Sequence, residues 1–271
     1  MACRVALGDF GVLSWQVPIS MRMQSNTIFI TGGSSGIGRG LAEAFHKLGN
    51  QVIISGRREA ALMAICEANP GIRSCVLDVT DPASVREIAR HVAEEFPDLN
   101  CVFNNAGVQK HHDFASGEPL DEQAVLDEVN TNLLGVIRVA TAFLPHLRKH
   151  PGATLVNVSS GLAFVPLARF PVYCATKAAV HSFTMSLRHQ FKGTGVKVIE
   201  LVPPYVATEL GKESKAGGQF GPQPMPLEAF IAETMKVLEG DADEVVIGDA
   251  KKLVAAAGGD SVQKAFSGMN H

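Results

Sequence analysis

Short apolar runs alternate with longer amphipathic stretches over most of the chain. The apolar runs predict seven β-strands, at residues 27–30, 51–54, 75–77, 101–103, 154–158, 196–202 and 244–247. The amphipathic stretches predict helices at residues 37–48, 59–68, 82–96, 122–148 and 173–191. Buried strands that alternate with helices are typical of a parallel sheet covered on both faces. The predicted fold class is therefore α/β, a single doubly wound Rossmann-type domain with a parallel sheet of about seven strands.

The same alternation places one domain at residues 25–271 and leaves residues 1–24 outside it. Asp9 interrupts the apolar run that follows Arg4, so this segment does not match a signal peptide. We expect residues 1–24 to be a disordered extension, with the domain itself starting near Met21 or Met23. Glycines and prolines are frequent just before residue 226, and we expect residues 209–226 to form a lid over the substrate.

A glycine-rich turn, TGGSSGIG, follows the first predicted strand at residues 31–38. Glycines at such a turn let backbone N–H groups approach a pyrophosphate at the N terminus of the next helix. The strand before the turn and the helix after it favour a dinucleotide site over a simple tight turn. The candidate cofactor contacts in this segment are Gly32, Ser34, Ser35, Gly36, Ile37 and Gly38.

The residues that follow the second strand indicate which dinucleotide binds. An NAD site places an acidic residue about 20 positions after the glycines, where it contacts the ribose hydroxyls. This chain has Arg57 and Arg58 there instead. Guanidinium groups match a phosphate, and a merely solvated pair of cations at a helix start would oppose the helix dipole. We therefore predict NADP(H) as the cofactor.

Tyr173 and Lys177 lie four residues apart on a predicted helix, so their side chains share one face. A tyrosine of ordinary pKa is a poor acid at neutral pH, and a neighbouring ammonium group should lower that pKa. The spacing alone is common by chance. It gains weight because Ser159 and Ser160 end a predicted strand shortly before it.

Together these segments resemble one family. TGGSSGIG, NNAG at residues 104–107, NLLG at residues 132–135, Ser160 and YCATK occur in the order and spacing of the short-chain dehydrogenase/reductase family, over about residues 27–208. The segment VNVSSGLAFVPLARFPVYCATKAA is most similar to the branch associated with D-alanine esterification of teichoic acids. The resemblance implies an NADP(H)-dependent oxidoreductase, an aldehyde or ketone reductase or alcohol dehydrogenase, that acts as a homodimer or homotetramer.

The resemblance also implies a role for each matching position. Tyr173 would exchange a proton with the substrate oxygen, Ser160 would hydrogen-bond that oxygen, and Lys177 would hold the nicotinamide ribose. Asn132 would bind a water that links Lys177 to solvent. Ser159 is the alternative to Ser160 as the serine that hydrogen-bonds the substrate oxygen. The further cofactor contacts implied are Asn104, Asn105, Ala106 and Gly107 near the adenosine ribose, Asp78 and Val79 near the adenine, and Pro203, Val206 and Thr208 near the nicotinamide. The family usually has Pro-Gly where this chain has Pro203-Pro204, which leaves the shape of the substrate mouth open.

Apolar side chains follow the strands that end at this site. Leu162, Phe164, Phe170 and Tyr205 are predicted to line a pocket for a small, mostly apolar, uncharged substrate, unless they face the sheet or a subunit interface. A catalytically idle NADP(H)-binding sensor or scaffold is the alternative function, although a sensor has no use for an acid/base tyrosine. An epimerase or dehydratase would need a second acid/base group. His111 and His112 are expected to be exposed loop histidines, because Asp113 is the only evident carboxylate partner, and no metal site is predicted.

Composition narrows the class of protein without adding a site. The chain is 46% hydrophobic and 19% charged, which excludes a disordered chain. Its formal net charge of −3 does not indicate nucleic-acid binding. Its apolar runs are shorter than the ~18 residues that cross a bilayer, so no membrane contact is expected. The five cysteines form no CxxC pair, which favours a reducing, cytoplasmic compartment, with Cys66, Cys75 and Cys101 packed as small apolar residues.

Overall fold

A computed structural model describes residues 21–210 and 223–258, together with Gly268. Within these residues, seven strands form one parallel sheet in the order β3-β2-β1-β4-β5-β6-β7. They are β1 Thr27–Thr31, β2 Gln51–Gly56, β3 Arg73–Val76, β4 Leu99–Asn104, β5 Ala153–Val158, β6 Val196–Val202 and β7 Glu244–Val246. The predicted doubly wound α/β fold is confirmed.

Eight helices in the described part of the chain cover the two faces of this sheet. They are α1 Gly36–Lys47, α2 Glu59–Ala68, α3 Pro82–Glu95, α4 Glu122–Val129, α5 Gly135–Leu147, α6 Pro171–Gln190, α7 Leu227–Leu238 and α8 Ala250–Ala255. A π-helical turn at Asn130–Leu134 divides the predicted helix 122–148 into α4 and α5, and a 3-10 turn occupies Gly161–Ala163. The sequence pattern did not predict α7 and α8. None of the described helices is long and apolar enough to span a membrane.

The core consists of one apolar cluster on each face of the sheet. Ile28 and Ile30 of β1 point to the face covered by α1, α2 and α7, whereas Phe29 points to the face covered by α3 and α5. Because both faces are covered, β4, β5 and β6 are buried at every position, and most of their residues are apolar. Of the cysteines expected in the core, Cys101 is buried, but Cys66 and Cys75 are only partly buried, and all three are free thiols.

The N-terminal boundary of the domain lies at or before Met21. Met21 is buried in the same cluster as Phe45, and the Asn50 side chain donates a hydrogen bond of 2.9 Å to the carbonyl of Met23. Residues 21–24, assigned above to a disordered extension, therefore pack on the domain. Residues 1–20 of that extension lie outside the described residues.

The predicted lid at residues 209–226 falls largely outside the described residues, since 211–222 are not among them. The described end of this segment is attached to the loop after β6. The amide of Met225 donates to the carbonyl of Tyr205 at 2.8 Å, and the amide of Ala207 donates to the carbonyl of Met225 at 2.9 Å. The closing role of the lid stays a prediction.

The strand order creates a crevice at one place in the sheet. The chain moves outward in one direction from β1 to β2 and β3, then crosses back to β4 and continues in the other direction. Connections therefore leave β1 and β4 on opposite sides and open a crevice beyond their carboxyl ends, where ligands of doubly wound sheets bind. The glycine-rich turn follows β1, and residues 105–107 follow β4.

Candidate active site

Hydrogen bonds join the glycine-rich turn to the turn that follows β4. The Asn105 side chain donates to the carbonyls of Thr31 and Gly32, at 2.9 and 3.2 Å. In return, the Thr31 hydroxyl accepts hydrogen bonds from the amides of Asn105 and Ala106, at 3.0 and 3.1 Å. Asn105 thus holds the two sides of the crevice together. This fixes the floor of the predicted cofactor site.

Glycine is required at two positions of the turn for different reasons. Gly32 has a φ of +67°, and a Cβ there would lie 2.8 Å from the Cα of Ala106. At Gly38, a Cβ would lie 2.4 Å from both the carbonyl oxygen of Gly32 and the side-chain nitrogen of Asn105. The first position needs the left-handed conformation and the second needs the space. Together they bring the N terminus of α1 to the crevice, as a pyrophosphate would require.

The two arginines that follow β2 have different surroundings. Arg58 Nη2 lies 3.2 Å from Ser35 Oγ and 3.5 Å from Ser34 Oγ, so its guanidinium group faces the glycine-rich turn. Arg57 lies on the side of α4, where it adds a small electrostatic effect to the hydrogen bonds from Gln123 and Lys110 that lower the pKa of Asp127. Arg58, Ser34 and Ser35 therefore form a cluster of donors that suits a phosphate group.

Tyr173, Ser160 and Lys177 meet beyond the carboxyl end of β5. Tyr173 and Lys177 are buried on α6, and Lys177 Nζ lies 5.7 Å from the centre of the Tyr173 ring. Ser160 is buried at the end of the strand segment and hydrogen-bonds Tyr173, while its Oγ also accepts from the amide of Leu162 at 3.1 Å. Ser159 instead points its hydroxyl at the Leu201 carbonyl, 3.5 Å away. The structure thus favours Ser160 over Ser159 as the partner of the tyrosine.

Burial raises the pKa of Tyr173 above its usual value, and the hydrogen bond with Ser160 only partly opposes this effect. The net direction is therefore opposite to the one expected, because the loss of water around the phenol penalises the phenolate directly. The Lys177 ammonium donates to the Val158 carbonyl at 2.7 Å, and a lowering effect of this group on the Tyr173 pKa stays a prediction. Tyr173 is held as a protonated phenol, the form that can donate a proton.

Burial also lowers the pKa of Lys177, to about 8, and the carboxylate of Glu200 acts in the opposite direction. An ammonium group loses favourable hydration when it is buried, so burial favours its neutral form. Lys177 therefore titrates close to the physiological range. Glu200 had not been singled out from the sequence.

Asn132 reaches the site because of the π-helical turn between α4 and α5. Its side-chain oxygen accepts from the amide of Val108 and its nitrogen donates to the carbonyl of Val108, both at 2.8 Å. The nitrogen also donates to Thr176 Oγ1 at 3.2 Å. A Cβ built on Gly107 would lie 3.4 Å from Asn132 Oδ1 and 3.7 Å from Lys177 Nζ, so both side chains border the same glycine. The role of Asn132 in binding a water stays a prediction.

The other predicted cofactor positions divide into two groups. Asn104 is buried on the far side of the strand, where it donates to Asn157 at 2.9 Å, so its assignment to the adenosine ribose is wrong. Successive residues of a strand point to opposite faces, and only Asn105 and those after it reach the crevice. The positions that border the carboxyl ends of the strands are Asp78, Val79, Ala106, Gly107, Pro203, Val206 and Thr208.

Local contacts fix several of these positions. Asp78 accepts two hydrogen bonds from Thr80, at 2.9 and 2.8 Å. The carbonyl of Pro203 accepts from the amide of Gly161 at 2.9 Å, which supports the turn that carries Ser160. A Cβ on Gly36, whose φ is +54°, would lie 3.4 Å from Thr208, so the loop after β6 closes over the start of α1. Pro203-Pro204 thus preserves this arrangement.

The predicted substrate residues do not all lie together. Leu162 is partly buried in the turn after Ser160, and Phe170 directly precedes α6, with its ring edge-on to His111 at 6.5 Å. Phe164 instead packs its ring on His181, 4.5 Å away, one turn beyond Lys177 on α6. Tyr205 is 45% exposed. Leu162 and Phe170 therefore stay candidates for the pocket, whereas Phe164 covers the helix.

A buried contact between a histidine and a carboxylate was not predicted from the sequence. His112 Nε2 lies 2.9 Å from Glu128 Oε2, and both side chains are buried. Glu128 Oε1 also accepts from the amide of Lys110 at 3.0 Å. The expectation of an exposed histidine holds for His111 but is wrong for His112, because its carboxylate partner comes from α4 and not from the adjacent Asp113. Glu128 follows Ala124 by four residues on α4, so both lie on the buried face of the helix. This spacing is the sequence signal that indicates a buried carboxylate.

Comparison with known proteins identifies the family to which this site belongs. The sequence profile described as short chain dehydrogenase matches residues 26–218. The chain belongs to the short chain dehydrogenase family. Its fold and the placement of Ser160, Tyr173 and Lys177 agree with that membership.

Two relatives and one solved structure illustrate how similar the chain is to known members. "Uncharacterized oxidoreductase DltE" of Bacillus subtilis (strain 168) is 46% identical over 197 residues, 72% of this chain and 77% of that protein. "Sulfoacetaldehyde reductase 2" of Chromohalobacter salexigens is 33% identical over 226 residues, 82% of this chain and 87% of that protein. A short chain dehydrogenase from Burkholderia cenocepacia J2315, solved in complex with NADP, has a TM-score of 0.79 at 25% identity, over 92% of this chain and 99% of that chain. The predicted relation to the DltE branch is confirmed, and the chain is an oxidoreductase of this family.

The crevice of this short chain dehydrogenase fits a nicotinamide dinucleotide. A side chain at Gly32 or Gly38 would fill the space between the two turns, and the first turn of α1 carries no acidic residue that would repel a pyrophosphate. Gly32, Ser34, Gly36 and Ile37 would surround the phosphates, and Lys177 borders Gly107 on the nicotinamide side. The residues present therefore accommodate the cofactor that the family uses.

Proposed function

We propose that this protein is an NADP(H)-dependent reductase of aldehydes or ketones, or the corresponding alcohol dehydrogenase, with Tyr173 as its acid/base. The observation that carries this proposal is the buried Tyr173, hydrogen-bonded to Ser160 and adjacent to Lys177 beyond the carboxyl end of β5. When bound, NADPH supplies a hydride to the carbonyl carbon. An idle sensor would have no need for this arrangement.

In the reductive direction, Tyr173 donates its phenolic proton to the substrate oxygen, and Ser160 donates a hydrogen bond to the same oxygen. The phenolate that forms is a buried charge, and the Lys177 ammonium is placed to stabilise it. Lys177 is therefore required in its charged form. In the oxidative direction the same phenolate accepts the proton of the alcohol.

The preference for NADP(H) over NAD(H) is proposed from the donor cluster of Arg58, Ser34 and Ser35, with Arg57 at its edge. A phosphate on the adenosine ribose would meet Arg58 between the two serines. The NADP bound in the Burkholderia structure supports the same choice.

The proposed substrate is a small, uncharged, mostly apolar carbonyl compound. The Leu162 amide donates to Ser160, and we propose that Leu162 and Phe170 line the entrance to the pocket. The Arg169 guanidinium lies 5.8 Å from the Phe170 ring, so one cation would border the same entrance. The relative named for sulfoacetaldehyde acts on an anion. We therefore propose comparing kcat/KM for an aryl aldehyde with that for its carboxylated analogue. A clear preference for the carboxylated compound would exclude the apolar pocket and assign recognition to Arg169.

The decisive experiment is Tyr173→Phe, with NADPH binding and turnover measured separately. Turnover should fall by about 10²–10⁴, the usual contribution of a positioned general acid, while NADPH still binds. The chain contains two tyrosines, and Tyr205→Phe should change KM more than kcat, because Tyr205 is exposed and is predicted to line the substrate pocket. Unchanged turnover in Tyr173→Phe, or NADPH binding without reduction of any carbonyl compound tested, would favour the sensor instead.

A further inference from the structure

A buried carboxylate lies beneath α6, outside the residues that face the crevice. Glu200 of β6 is fully buried, and its Oε2 lies 2.8 Å from Nδ1 of His181 on α6. Its other oxygen, Oε1, is also buried and has no hydrogen-bond partner among the described residues. A buried carboxylate with one unpaired oxygen is costly unless a positive charge compensates it. The compensating group should therefore lie close by.

Lys177 is an active-site cation that interacts electrostatically with Glu200. It lies one helical turn before His181, so both side chains leave the same face of α6. Its Nζ donates to the carbonyl of Val158 on β5, and Val158 pairs with Leu201, the residue next to Glu200 on β6. The carbonyl that the ammonium contacts and the residue that carries the carboxylate therefore lie at neighbouring positions of adjacent strands.

The other charged groups around Glu200 are already engaged. Arg188 of α6 contacts Glu244 of β7 at 3.3 Å and donates to the carbonyls of Val198 and Asp243, at 3.2 and 3.0 Å. The Phe164 ring packs on His181 at 4.5 Å and shields the pair from one side. Glu244 pairs with Glu200 across the strands, but its charge is offset by Arg188.

We propose that Glu200 is a positioning residue that supplies the buried counter-charge of Lys177, and that His181 holds the Glu200 carboxylate in place. This inference rests on the catalytic role proposed for Lys177. It explains why a carboxylate occupies a fully buried strand position, where an apolar residue would pack without cost. It also extends the functional unit from the crevice to the layer beneath α6.

The proposal has a definite consequence for the pH dependence of the enzyme. Burial lowers the pKa of Lys177 to about 8, and Glu200 raises it against that effect. Removing the carboxylate should therefore lower this pKa further, by about one pH unit or more. Because turnover requires the charged lysine, activity should then be lost at a lower pH.

The test compares Glu200→Gln with Glu244→Gln, two isosteric changes at paired positions of β6 and β7. The alkaline limb of kcat/KM for NADPH, which reports groups of the free enzyme, should move to lower pH by about one unit in Glu200→Gln and stay in place in Glu244→Gln. Glu200→Asp keeps the charge, so its alkaline limb should lie close to the wild-type pH. His181→Asn keeps a donor near the position of Nδ1 and should shift it less than Glu200→Gln.

A second measurement uses the cofactor-free protein and needs no turnover. Since the pKa of Lys177 falls from its usual 10.5 to about 8 on folding, the unfolded chain binds more protons between these values. The contribution of Lys177 to stability should therefore rise with pH over this window, while the raised pKa values of Cys75, Cys101, Cys174 and Tyr173 act in the opposite direction. These groups are the same in both proteins, so the quantity to measure is the Tm of Glu200→Gln relative to the wild type, which should rise as the pH approaches 8. Tyr173→Phe could retain turnover while the pH dependence of Tm shifts in Glu200→Gln. That combination would contradict the proposed function but would support Glu200 as the counter-charge of Lys177.

Two results would overturn the proposal. One is an equal pH shift, or no shift, in Glu200→Gln and Glu244→Gln. The other concerns a metal, because ligand atoms of His181, Glu200 and Glu244 all lie within 4.8 Å of one another. If Zn²⁺ raises the Tm of the wild-type protein and this effect is lost in both glutamine variants, a cation compensates Glu200 instead of Lys177.

Discussion

At the residue scale, the cofactor preference is concentrated in one of two adjacent arginines. Arg58 faces the hydroxyls of Ser34 and Ser35, whereas Arg57 lies toward the acidic side of α4. Adjacent side chains at the start of a helix point in different directions, so identical residue types at neighbouring positions do different things.

We expect Arg58→Ala to reduce the preference for NADPH over NADH by about tenfold to a hundredfold, since a charge-assisted hydrogen bond contributes ~1.5–3 kcal/mol. Arg57→Ala should reduce it less. The ratio of kcat/KM for the two cofactors measures both effects. Equal losses in the two variants would contradict the assignment of the phosphate to Arg58.

The buried pair of His112 and Glu128 is a second feature at the residue scale. Glu128→Ala would leave His112 and the amide of Lys110 without their partner, and we expect it to lower the free energy of unfolding by about 3–5 kcal/mol. The neighbouring Asp127 is exposed and pairs with Lys110 at 3.1 Å, so Asp127→Ala is the matched control. Urea denaturation should show a large loss for the first variant and little change for the second.

At the element scale, α1 and the turns around it form the cofactor site as one unit. Gly38 and Gly40 both lie near the start of α1, but their neighbours differ. A Cβ at Gly38 would meet the backbone of Gly32, whereas a Cβ at Gly40 would meet the end of the Ile231 side chain on α7 at 2.8 Å. The backbone cannot move aside cheaply, but a side chain can.

We therefore expect Gly38→Ala to weaken NADPH binding by at least about tenfold, or ~1.4 kcal/mol, because the turn must open to admit the methyl group. In Gly40→Ala, binding should be unchanged, since Ile231 can shift and alanine favours the helix. Fluorescence titration with NADPH measures both. Tight NADPH binding by Gly38→Ala would show that the hydrogen bonds from Asn105 to this turn are not required for cofactor binding.

The π-helical turn at Asn130–Leu134 is another feature at the element scale. Its hydrogen bonds span one residue more than those of an α-helix, and this added residue turns Asn132 inward to Val108 and Thr176. The amphipathic pattern of α4 and α5 is continuous enough to predict one helix. The interruption directs inward the side chain of Asn132, for which a role at the site is predicted.

At the scale of the whole molecule, an apolar groove lies on the outer face between α4 and α6. Phe114 is 62% exposed there, and Leu126 nearby is 45% exposed. The groove has a volume of about 340 Å³ and is lined by Phe114, Val129, Leu133, Pro171, Val172, Ala175 and Thr176. Exposed apolar surface of this kind marks protein interfaces, and a second copy of the chain would bury it in the predicted homodimer or homotetramer.

We expect the wild-type protein to be a dimer or tetramer and Ala175→Glu, which places a charge in this groove, to be a monomer. Ala83→Glu adds the same side chain at an exposed position of α3 and is the control, with no change expected. Light scattering after size-exclusion chromatography gives the mass of each. A wild-type monomer, or an unchanged mass in Ala175→Glu, would place the interface elsewhere or exclude it.

The sequence by itself determined the fold class, the glycine-rich turn and the spacing of Tyr173 and Lys177. These features depend on residues that are close in the chain: a buried strand reads as a short apolar run, and two residues four apart share a helix face. The motifs also indicated the family without any knowledge of packing. Local regularity carries this information because backbone hydrogen bonding repeats at fixed intervals.

Only the tertiary structure decided which groups act on one another across the chain. Glu128 meets His112, Glu200 meets His181, and the Asn104 side chain turns away from the crevice. The pKa of Tyr173 also shifts in the direction opposite to the expected one, because burial removes water from the phenol. Partners distant in sequence and the extent of desolvation depend on how elements pack, and no local pattern records either of them.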